Sequence, residues 1–420
     1  MAIEEDVVVV GGGIAGSIAA LAAARTGASV RVVTYKKSTL RHASGLIDVL
    51  GYADGEGPLA DPYDGFDDLP DDHPYRVVGP EAVREGLALF DEVVGDEYLG
   101  DHTDTNALVP THGGAVKPTA RYPRAAAGGV ASDDRDMLLV GFSSMTDFEA
   151  SLAASHLEAA GVPFAVEGVT IDFPRTFRAD AKITRFAKAL DTDEDVGGRG
   201  TREALAAAVE PNLDGAERVG FPSLLGDDHR HEVRADLESY LGAEVFEVPM
   251  GPPSLPGLRL EDLLFDALDE AGVRISSGNK AVGYETDDEN LSAVVVDRKG
   301  REVPYHADAV VLATGGLVGK GIGSSREGVR EPLFDCYVPH PDDRYDWFVD
   351  DAFGDHPFAA FGVVPDDRLR PTRPDGHAEF ANLFAAGGVV GGADVAREKS
   401  ASGISLATGV VAGREAGETA

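Results

Sequence analysis

Short apolar runs that stop at glycine mark both ends of the chain. Val7 to Val10 are four β-branched residues in a row, which predicts a short buried strand. Glycines follow at 11, 12, 13 and 16, and the alanine-rich stretch from Ser17 to Arg25 predicts a helix. Gly27 closes that helix, and Val30 to Val33 predict a second strand. Residues 51–80 are rich in Gly, Pro and Asp and read as a loop. Val83, Leu87, Phe90 and Val94 then recur at helical spacing, so a helix is expected over 80–94. Residues 101–135 show no period and read as irregular.

From 137 the pattern alternates between strand and helix. Strands are expected over 137–142, 162–169, 218–221 and 245–248, and helices over 146–160, 182–190, 202–209 and 231–241. This predicts a small α/β domain. The proline-rich connector from Met250 to Pro256 leads into a helix over 258–271. Strand-like runs return near 274, 281–284, 291–297 and 303, and an apolar strand stops at Ala313-Thr314-Gly315-Gly316. Another stops at Ala385-Ala386-Gly387-Gly388, and Ser402-Gly403 opens a final helix over 404–416. The expected class is α/β: a three-layer Rossmann-like domain from 1–60 and 257–420, with a smaller α/β domain over 61–256 inserted in it.

Charge adds a condition on the solvent. The 420 residues carry 73 acidic and 37 basic side chains, a net charge of −36, and only nine of the basic residues are lysine. Carboxylates spread along a chain that is 43% hydrophobic fit a folded protein solvated in high salt rather than a disordered one. Such a surface repels nucleic acid and anionic lipid. Cys336 is the single cysteine, which excludes an intramolecular disulfide and an iron–sulfur cluster held by this chain alone. Its thiol is expected to be buried and inert. No histidine pair has metal-binding i, i+4 spacing, so no metal site is expected. Glu4, Glu5 and Asp6 precede the first strand and no 18-residue apolar run occurs, so a cytoplasmic location is expected.

Three strand-end glycine sites suggest one phosphate-bearing flat ligand. Gly11, Gly13 and Gly16 have G-x-G-x-x-G spacing between a strand and a helix, where free N–H groups and the helix dipole meet an anion. Thr34 ends the second strand, where a dinucleotide binder usually places an acid for the adenosine ribose. Thr314 and Gly315, Gly387 and Gly388, Ser402 and Gly403 are the further cofactor candidates, with Ser44 and Gly45 after the second strand. His42 is a candidate proton carrier beside a redox cofactor, or an ordinary loop histidine. Arg326 and Arg330 either clamp a phosphate or pair with Glu327 and Glu331. Arg259 either reaches into a cleft or lies solvated on its helix.

Longer stretches carry a resemblance. Ser38 to Asp48 (STLRHASGLID), Gly141 to Phe148 (GFSSMTDF), Pro252 to Leu260 (PPSLPGLRL), Gly328 to Pro332 (GVREP), Phe361 to Val363 and Asn382 to Gly392 resemble the B subunit of the anaerobic glycerol-3-phosphate dehydrogenases. These belong with the two-domain flavoproteins of the glutathione-reductase and fumarate-reductase type. The resemblance implies a flavin protein, with FMN as cofactor and FAD the alternative. It implies two partners in one complex: a catalytic, FAD-bearing A subunit, and an iron–sulfur C subunit that ties the pair to the inner face of the membrane. The implied reaction is oxidation of sn-glycerol 3-phosphate to dihydroxyacetone phosphate, with electrons passed to quinone. That chemistry needs a base, for which His42 is the candidate, and cations for the phosphate, for which Arg259, Arg326 and Arg330 are the candidates. The alternatives are an electron-relay protein whose partner oxidises the substrate, or another FAD-dependent oxidoreductase. Gly388 stands where the broader flavoproteins show an acid.

Overall fold

A computed structural model describes residues 3–35, 39–178, 181–251 and 254–420. Lys36, Lys37, Ser38, Pro252 and Pro253, which carry part of the quoted stretches, lie outside the described residues.

The chain opens with β1 (Ile3–Val10), α1 (Ile14–Arg25) and β2 (Val30–Thr34). Next comes α2 (Pro74–Val94), six residues longer than its apolar spacing predicts. Gly79, at φ 80°, kinks it ahead of Pro80, and the His73 ring caps its start by accepting from the Tyr75 N–H at 3.1 Å. A hairpin of β3 (Ala107–Pro110) and β4 (Val116–Thr119) lies in the stretch expected to be irregular. The alternating region follows as β5 (Met137–Phe142), α3 (Ala150–Ala160), β6 (Val166–Ile171), α4 (Ile183–Thr192), α5 (Thr201–Val209), β7 (Arg218–Pro222), α6 (Arg230–Leu241) and β8 (Glu244–Val248). Then come α7 (Leu255–Glu270), β9 (Arg274–Ser277), β10 (Lys280–Asp287), β11 (Asn290–Asp297), β12 (Glu302–Leu312), β13 (Leu383–Ala385) and α8 (Ala401–Thr419).

These elements form two compact units. One holds residues 1–39, 48–95 and 262–420, the other 40–47 and 96–261. The division therefore falls near 95 and 261, where 60 and 256 were expected. The reason is α2: Gly86 lies so close to the Leu406 backbone that an added Cβ would sit 2.7 Å from the Leu406 carbonyl carbon, which ties α2 to α8.

The first unit is built on a sheet in the order β9-β2-β1-β12-β11-β10, with β13 beside β12. β1 runs parallel to β2 and β12, pairing Val10 with Val33 and with Leu312. β10 and β11 form an antiparallel extension. Val7, Val8, Val9 and Val10 are all buried, as a parallel strand covered on both faces requires. Val8 and Val10 join a core with Val310, Leu312, Phe334 and Cys336. Burial pushes the Cys336 thiol far above its ordinary range, so it is held neutral, as an inert core cysteine is.

The close packing of α1 on α8 is set by small residues. Gly409, Gly413 and Gly417 recur every four residues and form one stripe of α8. A Cβ on Gly409 would lie 2.8 Å from the Ala15 carbonyl oxygen, and one on Gly413 2.7 Å from the Ala19 Cα. Backbone therefore meets backbone along this seam.

In the second unit β8-β7-β5-β6 form an all-parallel sheet. Phe142 stacks with Phe221 at 6.3 Å and meets Phe173 edge-on at 5.3 Å in its core.

The glycine seam gives a direct check. Gly413→Ala would add helix propensity, yet we expect it to destabilise the protein by about 1–3 kcal/mol through overpacking. The midpoint of denaturant unfolding measures this, and a rise in stability would refute the seam as described.

Candidate functional site

The first unit brings its three glycine runs to one place at the carboxyl ends of β1, β12 and β13. Gly11 leaves β1 at φ 126°, which a side chain resists, and a Cβ there would collide with the Ala313 carbonyl. Gly16 lets α1 start against the Gly11 carbonyl. A Cβ on Gly316 would lie 2.7 Å from the Gly388 carbonyl oxygen, and one on Gly387 2.6 Å from the Ala15 Cβ. The runs at 11–16, 313–316 and 387–388 thus touch one another, with nothing larger than the Ala15 methyl at the contacts.

Helix α1 begins at this place, and α8 passes it at Thr408. Gly13 is the N-cap of α1 and Ser400 that of α8, and neither makes a side-chain capping bond. Neither first turn carries an acidic residue, in a chain with 73 of them. At α1 the terminal N–H groups and the positive dipole end are therefore left for an anionic ligand, whereas the start of α8 already holds the Asp48 and Glu398 carboxylates.

The start of α8 is fixed by bonds that spacing does not announce. The Gly403 N–H donates to the Asp48 carbonyl at 2.7 Å, and the Ser402 hydroxyl donates to the Asp48 carboxylate at 2.9 Å. The Tyr75 hydroxyl donates to the Val49 carbonyl at 2.6 Å, and burial raises its pKa well above the ordinary phenol value. The Glu398 carboxylate accepts from the Ser400 hydroxyl at 2.7 Å and lies 3.1 Å from the His73 Nε2. Because the His73 Nδ1 accepts from the Tyr75 N–H, Nε2 is the protonated nitrogen that donates to Glu398. One turn further along α8, the buried Thr408 hydroxyl accepts from the Gly387 N–H at 2.8 Å. It also donates to the Ile404 carbonyl at 2.5 Å.

Of the expected cofactor residues, Gly11, Gly13, Gly16, Thr314, Gly315, Gly387 and Gly388 belong to this cluster. Thr34 is buried at the end of β2 with its side chain against Gly12, 3.2 Å from where a Cβ would be. The Thr314 hydroxyl is buried and has no hydrogen-bond partner among the described residues. Ser402 and Gly403 serve the anchoring of α8. Arg326 and Arg330 are also in this unit, at a two-strand turn that pairs Gly323 with Arg330, and both are exposed. The glutamates expected to pair with them are engaged elsewhere. Glu327 accepts from the Ser325 hydroxyl, and the buried Glu331 accepts from the Leu333 and Phe334 N–H groups at 2.8 and 2.7 Å. Neither arginine has an ion pair among the described residues.

His42, Ser44, Gly45 and Arg259 fall in the second unit. There the stretch 40–47 packs on the start of α7. A Cβ on Gly257 would lie 2.7 Å from the Ala43 carbonyl oxygen, and one on Gly45 2.7 Å from the Pro256 Cβ. Arg41 pairs with Glu261 at 2.7 Å. Two of the stretches that carry the resemblance, 39–48 and 254–260, are thereby in contact. His42 is exposed and makes no hydrogen bond or ion pair among the described residues. Arg259 is not solvated: its guanidinium is buried, donates to the Glu247 carboxylate at 2.6 Å and also reaches the Gly226 carbonyl. Thr408, Asp48, Tyr75 and Glu398 are the residues that sequence reasoning missed as supports of the site. Thr408 is a polar residue on an apolar helix face, and that oddity was the available signal.

The model of the FAD binding domain family matches residues 6–404. The chain belongs to that family. It is also 59% identical, over 100% of its length and 99% of the relative's, to a protein of Halobacterium salinarum named as the B subunit of a probable anaerobic glycerol-3-phosphate dehydrogenase. The B subunit of the Vibrio cholerae anaerobic glycerol-3-phosphate dehydrogenase is 28% identical over 96% of this chain and 94% of its own. Among solved structures, the open conformation of a flavocytochrome c3 fumarate reductase covers 99% of this chain and 78% of its own at 13% identity, with a TM-score of 0.47. A 3-ketosteroid-Δ4-(5α)-dehydrogenase from Rhodococcus jostii covers 99% and 96% at 15% identity, with a TM-score of 0.41.

A flavin is the cofactor of this family, and the residues present fit a phosphate group at one point: the start of α1 follows a glycine turn, is uncapped and carries no acid in its first turn. FAD is the flavin the family is described by, whereas FMN was expected first.

Thr408 allows the cradle to be tested without touching it. Thr408→Val leaves the buried Gly387 N–H without its acceptor, at a cost of about 1–3 kcal/mol. We expect a lower unfolding midpoint and less flavin retained through purification, read as the ratio of flavin to protein absorbance. Full retention at wild-type stability would remove Thr408 from the support of the site.

Proposed function

We propose that this chain is the flavin subunit of a respiratory glycerol-3-phosphate dehydrogenase. The complex oxidises sn-glycerol 3-phosphate to dihydroxyacetone phosphate and passes the electrons to quinone. The observation that carries this reading is the 59% identity over the full chain to a B subunit of that enzyme. The glycine turn before α1 and its uncapped start support it, since they suit a flavin phosphate. The chain would work with an FAD-bearing A subunit and an iron–sulfur C subunit that ties the assembly to the membrane. Among the described residues no helix is long and apolar enough to cross a membrane, and Cys336 alone cannot hold a cluster.

When bound, the flavin supplies the acceptor for the two electrons removed at C2 of the substrate. Two tasks fall to the protein. One is to take the proton of the C2 hydroxyl, and His42, exposed and without a partner among the described residues, has a ring nitrogen free to accept it. The other is to balance the phosphate. Arg326 and Arg330 keep their guanidinium donors free for that purpose, whereas Glu247 already holds Arg259. The occupation of Arg259 favours a second reading, in which this chain relays electrons and a partner oxidises the substrate.

Two measurements test the proposal. Stopped-flow mixing with glycerol 3-phosphate under anaerobic conditions is expected to bleach the flavin of the wild-type chain, and to do so about 10²–10⁴-fold more slowly in His42→Ala. Equal rates would remove His42 from the mechanism, and no bleaching in the wild type would establish the relay. Denaturation is expected to release FAD. Release of FMN alone would mean that Thr34, which offers no carboxylate to a ribose, marks an abandoned adenosine site.

A further inference from the structure

The first unit carries a concavity that borders, through Ser324 and Val329, the turn bearing Arg326 and Arg330. It has a volume of about 560 Å³ and is walled by Leu317, Trp347, Phe348, Phe358 and Phe361, with Lys320 at its side. The surface continues outward from it. Val318, next to Leu317, and Phe353, in the loop between Phe348 and Phe358, are each 98% exposed, and Tyr345 is 70% exposed. Monomeric proteins rarely present large apolar side chains this fully unless something covers them. A small molecule seated in the cavity would leave Val318 and Phe353 in water. The covering group is therefore a protein surface.

The charge around the patch identifies its kind. Between positions 342 and 355 the chain has six aspartates and one arginine, and residues 342–346 and 348–353 are all exposed. A second copy of this chain would bring the same loop and the same charge of −36. An anionic membrane surface would be repelled for the same reason. A partner with apolar knobs ringed by arginine or lysine is attracted. In high salt the charges are screened within about 3 Å at 1 M, and the apolar contact carries the affinity while the charges select the partner.

We propose that the aromatic cavity and the exposed side chains of Val318, Tyr345 and Phe353 form the docking surface for a partner protein of the complex that inserts an apolar, basic-rimmed segment. This rests on the multi-subunit reading above. Aromatic residues at the centre of such a surface carry most of the binding energy, and an acidic rim sets orientation.

The test uses the full chain co-expressed with the FAD-bearing and iron–sulfur subunits from its own source, compared with the double variant Val318→Ser, Phe353→Ser. Both side chains are solvent-exposed, so the variant is expected to keep its unfolding midpoint and flavin content. Assembly is read by size-exclusion chromatography and by titration of the purified chains. The expected result is a Kd at least about tenfold higher for the variant. Equal Kd values for variant and wild type overturn the docking surface and leave the functional reading intact. A wild-type chain that assembles with neither protein overturns both. If the substitutions instead abolish self-association of the isolated chain, or its flotation with anionic vesicles, the partner is a second copy or a lipid surface and the proposal fails.

Discussion

Steric exclusion at the ends of three strands governs the first unit. Gly11 against the Ala313 carbonyl, Gly316 against the Gly388 carbonyl and Gly387 against Ala15 are contacts that leave no room for a Cβ, and no other residue type fits at these points. With the strand ends drawn together in this way, the N–H groups at the uncapped start of α1 are left to meet the anionic oxygens of a phosphate directly. The requirement propagates. If β12 is to end beside Gly11, it must run parallel to β1 in the register that pairs Leu312 with Val10. If β13 is to end beside Gly316, it must pair with β12 so that Ala385 meets Leu312. The register of the central sheet and the geometry of the cradle are one constraint seen from two sides.

The same economy of side chains extends to the helices. α8 approaches α1 along Gly409, Gly413 and Gly417, and that proximity brings Thr408 within reach of the Gly387 N–H. The opposite end of α8 is held by Asp48, Tyr75 and Glu398. The start of α8 is not capped by its own Ser400, whose hydroxyl donates to Glu398. Its orientation is fixed instead by neighbours that bond to its flanks.

How much of this could be read from the sequence follows from the range of each interaction. β1, α1 and β2 are legible because their apolar pattern and glycine turn are local, and the parallel strands of the second unit are legible for the same reason. The start of α2 at Pro74 is not, because the cap that makes it possible is the His73 ring, in a stretch whose composition signals a loop. The hairpin at 107–119 has little apolar alternation and escapes a pattern-based reading. The three glycine runs were legible singly, as strand ends. Their convergence depends on pairing between strands about 300 residues apart, which no local signal carries. The assignment of 40–47 to the second unit has the same origin, since it depends on Gly257 and Pro256 admitting the backbone of a distant segment.

Acid excess changes what an unpaired cation means. In this chain arginines are readily captured: Arg31 by Glu5, Arg41 by Glu261, Arg202 by Glu232 and Asp236, and Arg259 by Glu247. A buried guanidinium with a carboxylate partner stays because desolvation without that partner would cost several kcal/mol. Arg259 is therefore part of the framework that holds α7 to the β7 and β8 loops, whatever its motif suggests. Arg326 and Arg330 escape capture for a specific reason. Their neighbouring glutamates are already satisfied by a hydroxyl and by backbone N–H groups, and burial of Glu331 keeps its carboxyl pKa raised, which weakens it further as an anion. Carboxylates outnumber cations about two to one, yet capture still depends on whether the neighbouring acids are already engaged.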